Sequence, residues 1–202
     1  MNKRQFLKDL QEALKESVTF FSPRNKPARE SWVGMTFLQN LGLQLDEKDV
    51  LVPLNDPPDI IFGDARFEIK EILDPSRKRH LEFKERFRRS LNVKDPADLL
   101  EPYTPRDLTP KDILDLIEKE LPEVGKKYSA MVRTQYDLLF YVNLKHHHLK
   151  IDRMPDPFRL SSFGWRSVSA LIGSGSLVYY ANDLAPEFLQ KKRGQLTVKQ
   201  FA

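Results

Sequence analysis

The chain has 202 residues, 40% hydrophobic and 31% charged, with a net charge of +4 and no cysteine. That suits one α/β-sized core with some decoration, while disulfides and thiolate metal sites are excluded and a reducing, cytoplasmic setting is the simplest expectation. So small a net charge selects no partner class, but residues 76–90 carry seven Lys/Arg against two Glu, and residues 101–123 carry seven acids against three bases.

The N-terminal stretch MNKRQFLKDLQEALKESVTFF has charges throughout and no apolar core ending in small residues, so no signal peptide is expected there. Phe6, Leu10, Leu14 and Phe21 recur at helical spacing and predict an amphipathic helix over residues 1–22. Acidic residues interrupt its basic face, which favours packing on protein over lying on a membrane. No run of about 18 apolar residues occurs, so no membrane span is expected.

After the breaker SPRNKP, ARESWVGMTFLQNLG predicts a core helix with Val33, Phe37 and Leu41 on one face and Gly42 at its end. DVLVPL, residues 49–54, predicts a strand stopped by NDPP, and DIIF and ARFEIKEIL predict two more around Gly63-Asp64. Asp74-Pro75 predicts the start of the basic helix, an N-cap followed by proline. Its apolar stripe is Phe83, Phe87 and Leu91.

Prolines 96, 102, 105 and 110 mark residues 92–110 as irregular. TPKDILDLIEKEL resumes helix, predicted to run past Pro122 to about Thr134. YDLLFYVNL, residues 136–144, is a near-continuous apolar run that predicts a strand buried on both faces and central in the sheet. Beyond it, KHHHLKIDRMPDPFRLSS predicts loop, FGWRSVSALI a short helix and SLVYYA a last strand. The alternation predicts a mixed central sheet flanked by helices, in a single domain over residues 1–202. That domain has an N-terminal helix (1–22), an αβββαβ core (28–144) and a C-terminal αβ extension (145–202).

The hairpin carries the chemistry. A type II′ turn on Gly63-Asp64 pairs Phe62 with Ala65 and sets Asp59 directly opposite Glu68. Strand alternation then puts Asp59, Ile61, Glu68 and Lys70 on one face, and Ile60, Phe62, Phe67 and Ile69 on the other. Opposed like charges cost about 0.2 to 1 kcal/mol, which a hard divalent cation would offset. Two carboxylates suit Mg²⁺ or Mn²⁺, and an adjacent ammonium can orient or help deprotonate an attacking water.

Pro58-Asp59 followed by Glu68-Ile69-Lys70 resembles the signature of the PD-(D/E)xK nuclease superfamily, and the chain also resembles an uncharacterised bacterial family regarded as endonucleases. The resemblance covers residues 28–144 and implies a restriction-endonuclease-like fold. It implies Mg²⁺ (or Mn²⁺) held by Asp59, Glu68 and the Ile69 carbonyl, with Lys70 positioning the water. D/E-x-K alone carries nothing, since it also occurs at Asp46-Glu47-Lys48 and Glu82-Phe83-Lys84.

Some members of that superfamily place a further metal-ligating glutamate on the first core helix, where Glu30 stands here; a carboxylate stabilising a helix N-terminus is the equal alternative. Glu71 points away from Glu68. Arg77, Arg79, Lys84, Arg86, Arg88 and Arg89 bracket the stripe of the basic helix and are candidates for phosphate contact, against the alternative of a solvated face. Gln135 resembles a polar residue that some branches place before the buried strand, but the QxxxY arrangement is absent. His146, His147 and His148 read as loop histidines rather than a metal site, and Gly173-Ser174-Gly175-Ser176 as a turn rather than a phosphate loop.

The expected activity is therefore that of an endonuclease hydrolysing phosphodiester bonds, with DNA as the first partner, no membrane, and homodimerisation left open. The alternatives are a catalytically inactive nucleic-acid-binding protein on the same fold, or a protein-interaction module using the acidic 101–123 segment.

Overall fold

The computed structural model describes residues 2–199, so Met1 and residues 200–202, the outer ends of the expected N-terminal helix and C-terminal extension, lie outside it. In chain order the elements are α1 (Lys3–Phe20), α2 (Lys26–Asn40), β1 (Ile60–Phe62), β2 (Ala65–Leu73), α3 (Arg79–Ser90), β3 (Arg106–Leu108), α4 (Pro110–Lys126), α5 (Ala130–Arg133), β4 (Asp137–Asn143), β5 (His147–Leu149), β6 (Ser167–Ile172), β7 (Gly175–Ala181), α6 (Glu187–Lys192) and β8 (Gln195–Val198). They fall into two compact units, one of Met1–Arg29 with Asp74–Thr104 and one of Glu30–Leu73 with Pro105–Ala202. Among the described residues, no helix is long and apolar enough to cross a membrane.

In the first unit the amphipathic α1 packs on α3. Leu7 and Leu14, two turns apart, are its buried residues, and Phe21 just beyond it stacks on Phe83 with ring centroids 4.8 Å apart. The expected helix start at Asp74-Pro75 is corrected: α3 begins at Arg79, and Lys78 makes no side-chain cap. Ser76 has φ 65 and the Arg77 amide donates to the Asp74 carbonyl at 3.0 Å. Pro75 and Ser76 are thus the two central residues of a type II-like turn, which a helix cannot contain.

The second unit is a mixed α/β layer built on a six-stranded sheet of order β1-β2-β4-β6-β7-β8. Strands β2, β4 and β6 are parallel, and the pairs β1-β2, β6-β7 and β7-β8 are antiparallel. On one face Ile60, Phe67, Ile69, Leu139 and Val178 pack with Val33, Phe37 and Leu38 of α2. On the other, Ile72, Leu138, Phe140 and Val168 pack with Ile113, Ile117 and Leu121 of α4. Gly34 makes the first packing possible, because a Cβ there would lie 1.8 Å from Ile60 Cδ1.

The hairpin has the expected register, with Phe62 paired to Ala65 and Ile60 to Phe67. Gly63, at φ 57, takes the first central position of the turn, and β4 is central as its apolar run predicts.

Four further expectations are corrected. Residues 49–54 form no strand, only a bridge between Leu51 and Ile61, because Pro53 lacks the N–H that would extend the ladder and Leu51, Val52 and Leu54 face solvent. The helix expected to reach Thr134 ends at Lys126, and α5 begins only at Ala130 under a Ser129 cap. The loop after β4 contains β5, paired in parallel with β3. FGWRSVSALI forms β6 rather than a helix, and all six of its strand residues are buried; a short apolar run buried on both faces has no period that separates strand from helix.

A buried ion pair ties these strands together. Arg166 Nε donates to Asp137 Oδ1 at 3.1 Å and its Nη2 to Asp137 Oδ2, while Nη2 also reaches the Asp64 carbonyl in the hairpin turn at 3.0 Å. Ser167 Oγ and the Arg66 amide complete the shell of Asp137 at 2.8 and 3.0 Å.

Candidate metal and active site

Strand alternation puts Glu68 and Lys70 on the α4 side of the sheet, where Leu138, the neighbour of Glu68 on β4, joins the α4 core. The first arm of the hairpin extends one residue beyond β1, since the Asp59 amide donates to the Phe67 carbonyl at 3.0 Å. Asp59 is thereby held across from Glu68, and its Oδ2 accepts the Ile69 N–H at 2.7 Å. Asp56, Asp59 and Glu68 each offer a carboxylate oxygen within 4.8 Å of the others; Asp56 is exposed and the other two are buried.

Around Glu68 the donors are sorted by oxygen. Lys70 Nζ and the Tyr128 hydroxyl both donate to Oε1, whereas Oε2 is buried without a hydrogen-bond partner among the described residues. Lys70 also lies over the Tyr128 ring, 5.5 Å from its centroid.

Burial raises the pKa of Glu68 and the nearby Asp59 raises it further, against the opposing bonds from Lys70 and Tyr128. For Lys70 burial acts downward, but the bonds to Glu68 and Tyr128 prevail and hold its pKa above the ordinary value, so it is an ammonium at neutral pH. Tyr128 is pushed up to about 12, by burial first and by Glu68 second, and stays a neutral donor.

A carboxyl whose pKa is raised by folding favours the fold only while protonated. That contribution is present below its ordinary value of 4.5 and lost as pH rises through the elevated one. Ionised Glu68 is therefore a local cost. Without divalent ions, Glu68→Gln should melt at or above wild type at pH 7 and lose that advantage as pH is lowered toward 4.5. A melting point several degrees below wild type at pH 7 would mean that attraction to Lys70 outweighs burial.

The other candidate residues are not among the three clustered carboxylates. Glu30 is half-buried on α2, which packs on the sheet face opposite Glu68 and Lys70, and it is not among the three clustered carboxylates. Gln135 is exposed just before β4. The six basic residues on and just before α3 divide. Arg79 is buried with its guanidinium 4.0 Å from the Phe21 ring centroid, and just before the helix Arg77 is tied to Glu82 at 2.8 Å. Arg88 pairs with Glu85, and Arg89 with Glu101. Lys84 and Arg86 have no ion-pair partner among the described residues, and Lys84 is exposed. His146, His147 and His148 form no ligand cluster with other described residues.

Sequence pattern alone singles out neither Asp56 nor Tyr128. Asp56 lies in a proline-rich turn with no strand period, and Tyr128 falls in a helix break that apolar periodicity does not reveal.

A family model described as "Putative endonuclease, protein of unknown function (DUF1780)" matches residues 2–201. No curated protein matches the chain. Among solved structures, a protein of unknown function from Pseudomonas aeruginosa strain PAO1, described as belonging to a monooxygenase superfamily, is similar at 25% identity and a TM-score of 0.68, over 99% of this chain and 97% of its own.

Proposed function

The chain belongs to the family described as "Putative endonuclease, protein of unknown function (DUF1780)", and we propose that it is a divalent-metal-dependent nuclease of the PD-(D/E)xK, restriction-endonuclease-like type, acting on nucleic acid and on DNA first. One observation carries the reading: three carboxylate oxygens from Asp56, Asp59 and Glu68 converge within 4.8 Å on the sheet face that also presents the Lys70 ammonium. Opposite ligands of an octahedral Mg²⁺ stand about 4 Å apart, so the spacing suits such an ion, and the all-oxygen donor set suits Mg²⁺ or Mn²⁺ over softer metals. Glu68 Oε2, buried and without a hydrogen-bond partner among the described residues, is the oxygen best placed to join the set.

An ion held there supplies Lewis acidity toward a phosphoryl oxygen and makes its bound water more acidic. The protein does the rest. Asp59 is oriented by the Ile69 amide, and Lys70, charged at neutral pH, serves as a donor that positions water or phosphate oxygen rather than as a base. Lys84 and Arg86 are the α3 side chains with charge to offer a phosphate backbone.

Among the described residues the clustered ligands are carboxylates without histidine, a set that is not the two-histidine, one-carboxylate triad of non-haem iron oxygenases.

Metal binding can be tested without a substrate. Mg²⁺ at ten times its dissociation constant should stabilise wild type by about 1.4 kcal/mol, or about 3 to 6 °C for a chain of this length. Glu68→Gln should lose most of that response. Glu82→Gln, in the second ExK on α3, should keep it. An equal response in wild type and Glu68→Gln would place the ion elsewhere.

A further inference from the structure

Tyr128 stands where the α4 helix gives out, in the short break before α5, and it is separated from Glu68 by 60 residues of sequence. Its ring is set from two sides. The fully buried Trp165 meets it edge-on with centroids 5.4 Å apart, and the Lys70 ammonium lies over it at 5.5 Å. The hydroxyl spends its proton on Glu68 Oε1, the oxygen that Lys70 also uses. A carboxylate has two oxygens and about four acceptor positions. With both donors gathered on Oε1, the other oxygen is left for an ion.

We propose that Tyr128 is the positioning residue of the carboxylate site: by donating to Glu68 Oε1 alongside Lys70, it fixes the carboxylate plane and reserves the buried Oε2 as the ligating atom. This rests on the reading of Asp56, Asp59 and Glu68 as a metal site. Partners that orient a metal ligand typically contribute about 10- to 100-fold in metal affinity. Tyr128 also bridges the ligand to Lys70, so loss of its hydroxyl frees the ammonium to swing between the two oxygens of Glu68 and compete with the ion for Oε2.

Tyr128→Phe isolates the effect, because it keeps the ring against Trp165 and under Lys70 and removes only the hydroxyl. Mn²⁺ binding is read by the loss of the free-ion electron paramagnetic resonance signal, and the fold by the melting temperature of the metal-free protein. Tyr128→Phe should bind Mn²⁺ at least about tenfold more weakly than wild type while its metal-free melting temperature changes little. A merely structural tyrosine would give the reverse, a lower melting temperature with unchanged Mn²⁺ affinity, and that result would overturn the assignment while leaving the carboxylate site intact. Failure of wild type itself to bind Mn²⁺ would overturn both.

Discussion

Purified protein given Mg²⁺ or Mn²⁺ should nick or degrade a nucleic-acid substrate, and Lys70→Ala should slow that reaction by about 10²-fold or more, the scale on which loss of one oriented donor at a reacting centre is felt. Asp59→Asn and Glu68→Gln should be at least as damaging, and Glu82→Gln should not. The three site residues share one sheet face, where the Asp59–Ile69 bond and the two donors on Glu68 hold the geometry. Activity surviving in all three variants would place the chemistry elsewhere.

Binding separates the rival readings. If Lys84 or Arg86 contacts a phosphate of duplex DNA, its replacement by alanine should flatten the dependence of log affinity on log salt by about one unit. Arg79, buried against Phe21, should instead affect folding when replaced. Salt-dependent binding without cleavage would favour a catalytically silent binding protein. Neither binding nor cleavage, on duplex, branched and single-stranded probes alike, would favour an interaction module.

The largest effect on stability is expected at Asp137 and Arg166. Asp137 is fully buried and Arg166 nearly so, and burial raises the pKa of Asp137 against the opposing pull of Arg166. Removing one partner strands the other charge, so Asp137→Ala or Arg166→Ala should each cost about 3 to 5 kcal/mol, lowering the melting temperature by about 6 to 20 °C. Replacing both by leucine and methionine should cost clearly less than the sum of the single changes, because neither charge is then left uncompensated. Single variants melting within about 2 °C of wild type would mean that water reaches the pair and screens it. Arg166 also holds the Asp64 carbonyl, so these variants should weaken divalent-ion binding at the far end of the same hairpin.

Which residues meet at the site depends on two ranges of interaction. The hairpin was legible because a two-residue turn is a local decision. Gly63 accepts the positive φ, the pairing follows by counting outward, and period-2 alternation then assigns Asp59, Glu68 and Lys70 to one face before any other element is placed. The central position of β4 was legible for a similar reason, since a run buried on both faces has to lie inside the sheet.

Where local signals were ambiguous, tertiary packing decided. Residues 167–172 carry small and apolar side chains that suit a helix or a strand, and β4 and β7 took them as a strand by offering a ladder on both sides. Residues 49–54 carry strand-forming side chains, yet Pro53 and the absence of a second neighbour left a single bridge. Asp74-Pro75 carries the local signal of a helix start, yet the positive φ of Ser76 makes it a turn. The amino-acid sequence by itself thus determined the α/β class, the hairpin register and the pairing of Asp59 with Glu68, because each depends on side chains a few residues apart. Only the tertiary structure brought in Tyr128, took Arg79 into the core and closed the Arg166–Asp137 pair, because those contacts exist only once segments distant in sequence are packed together, and it added Asp56 through an aperiodic turn that no local pattern reads.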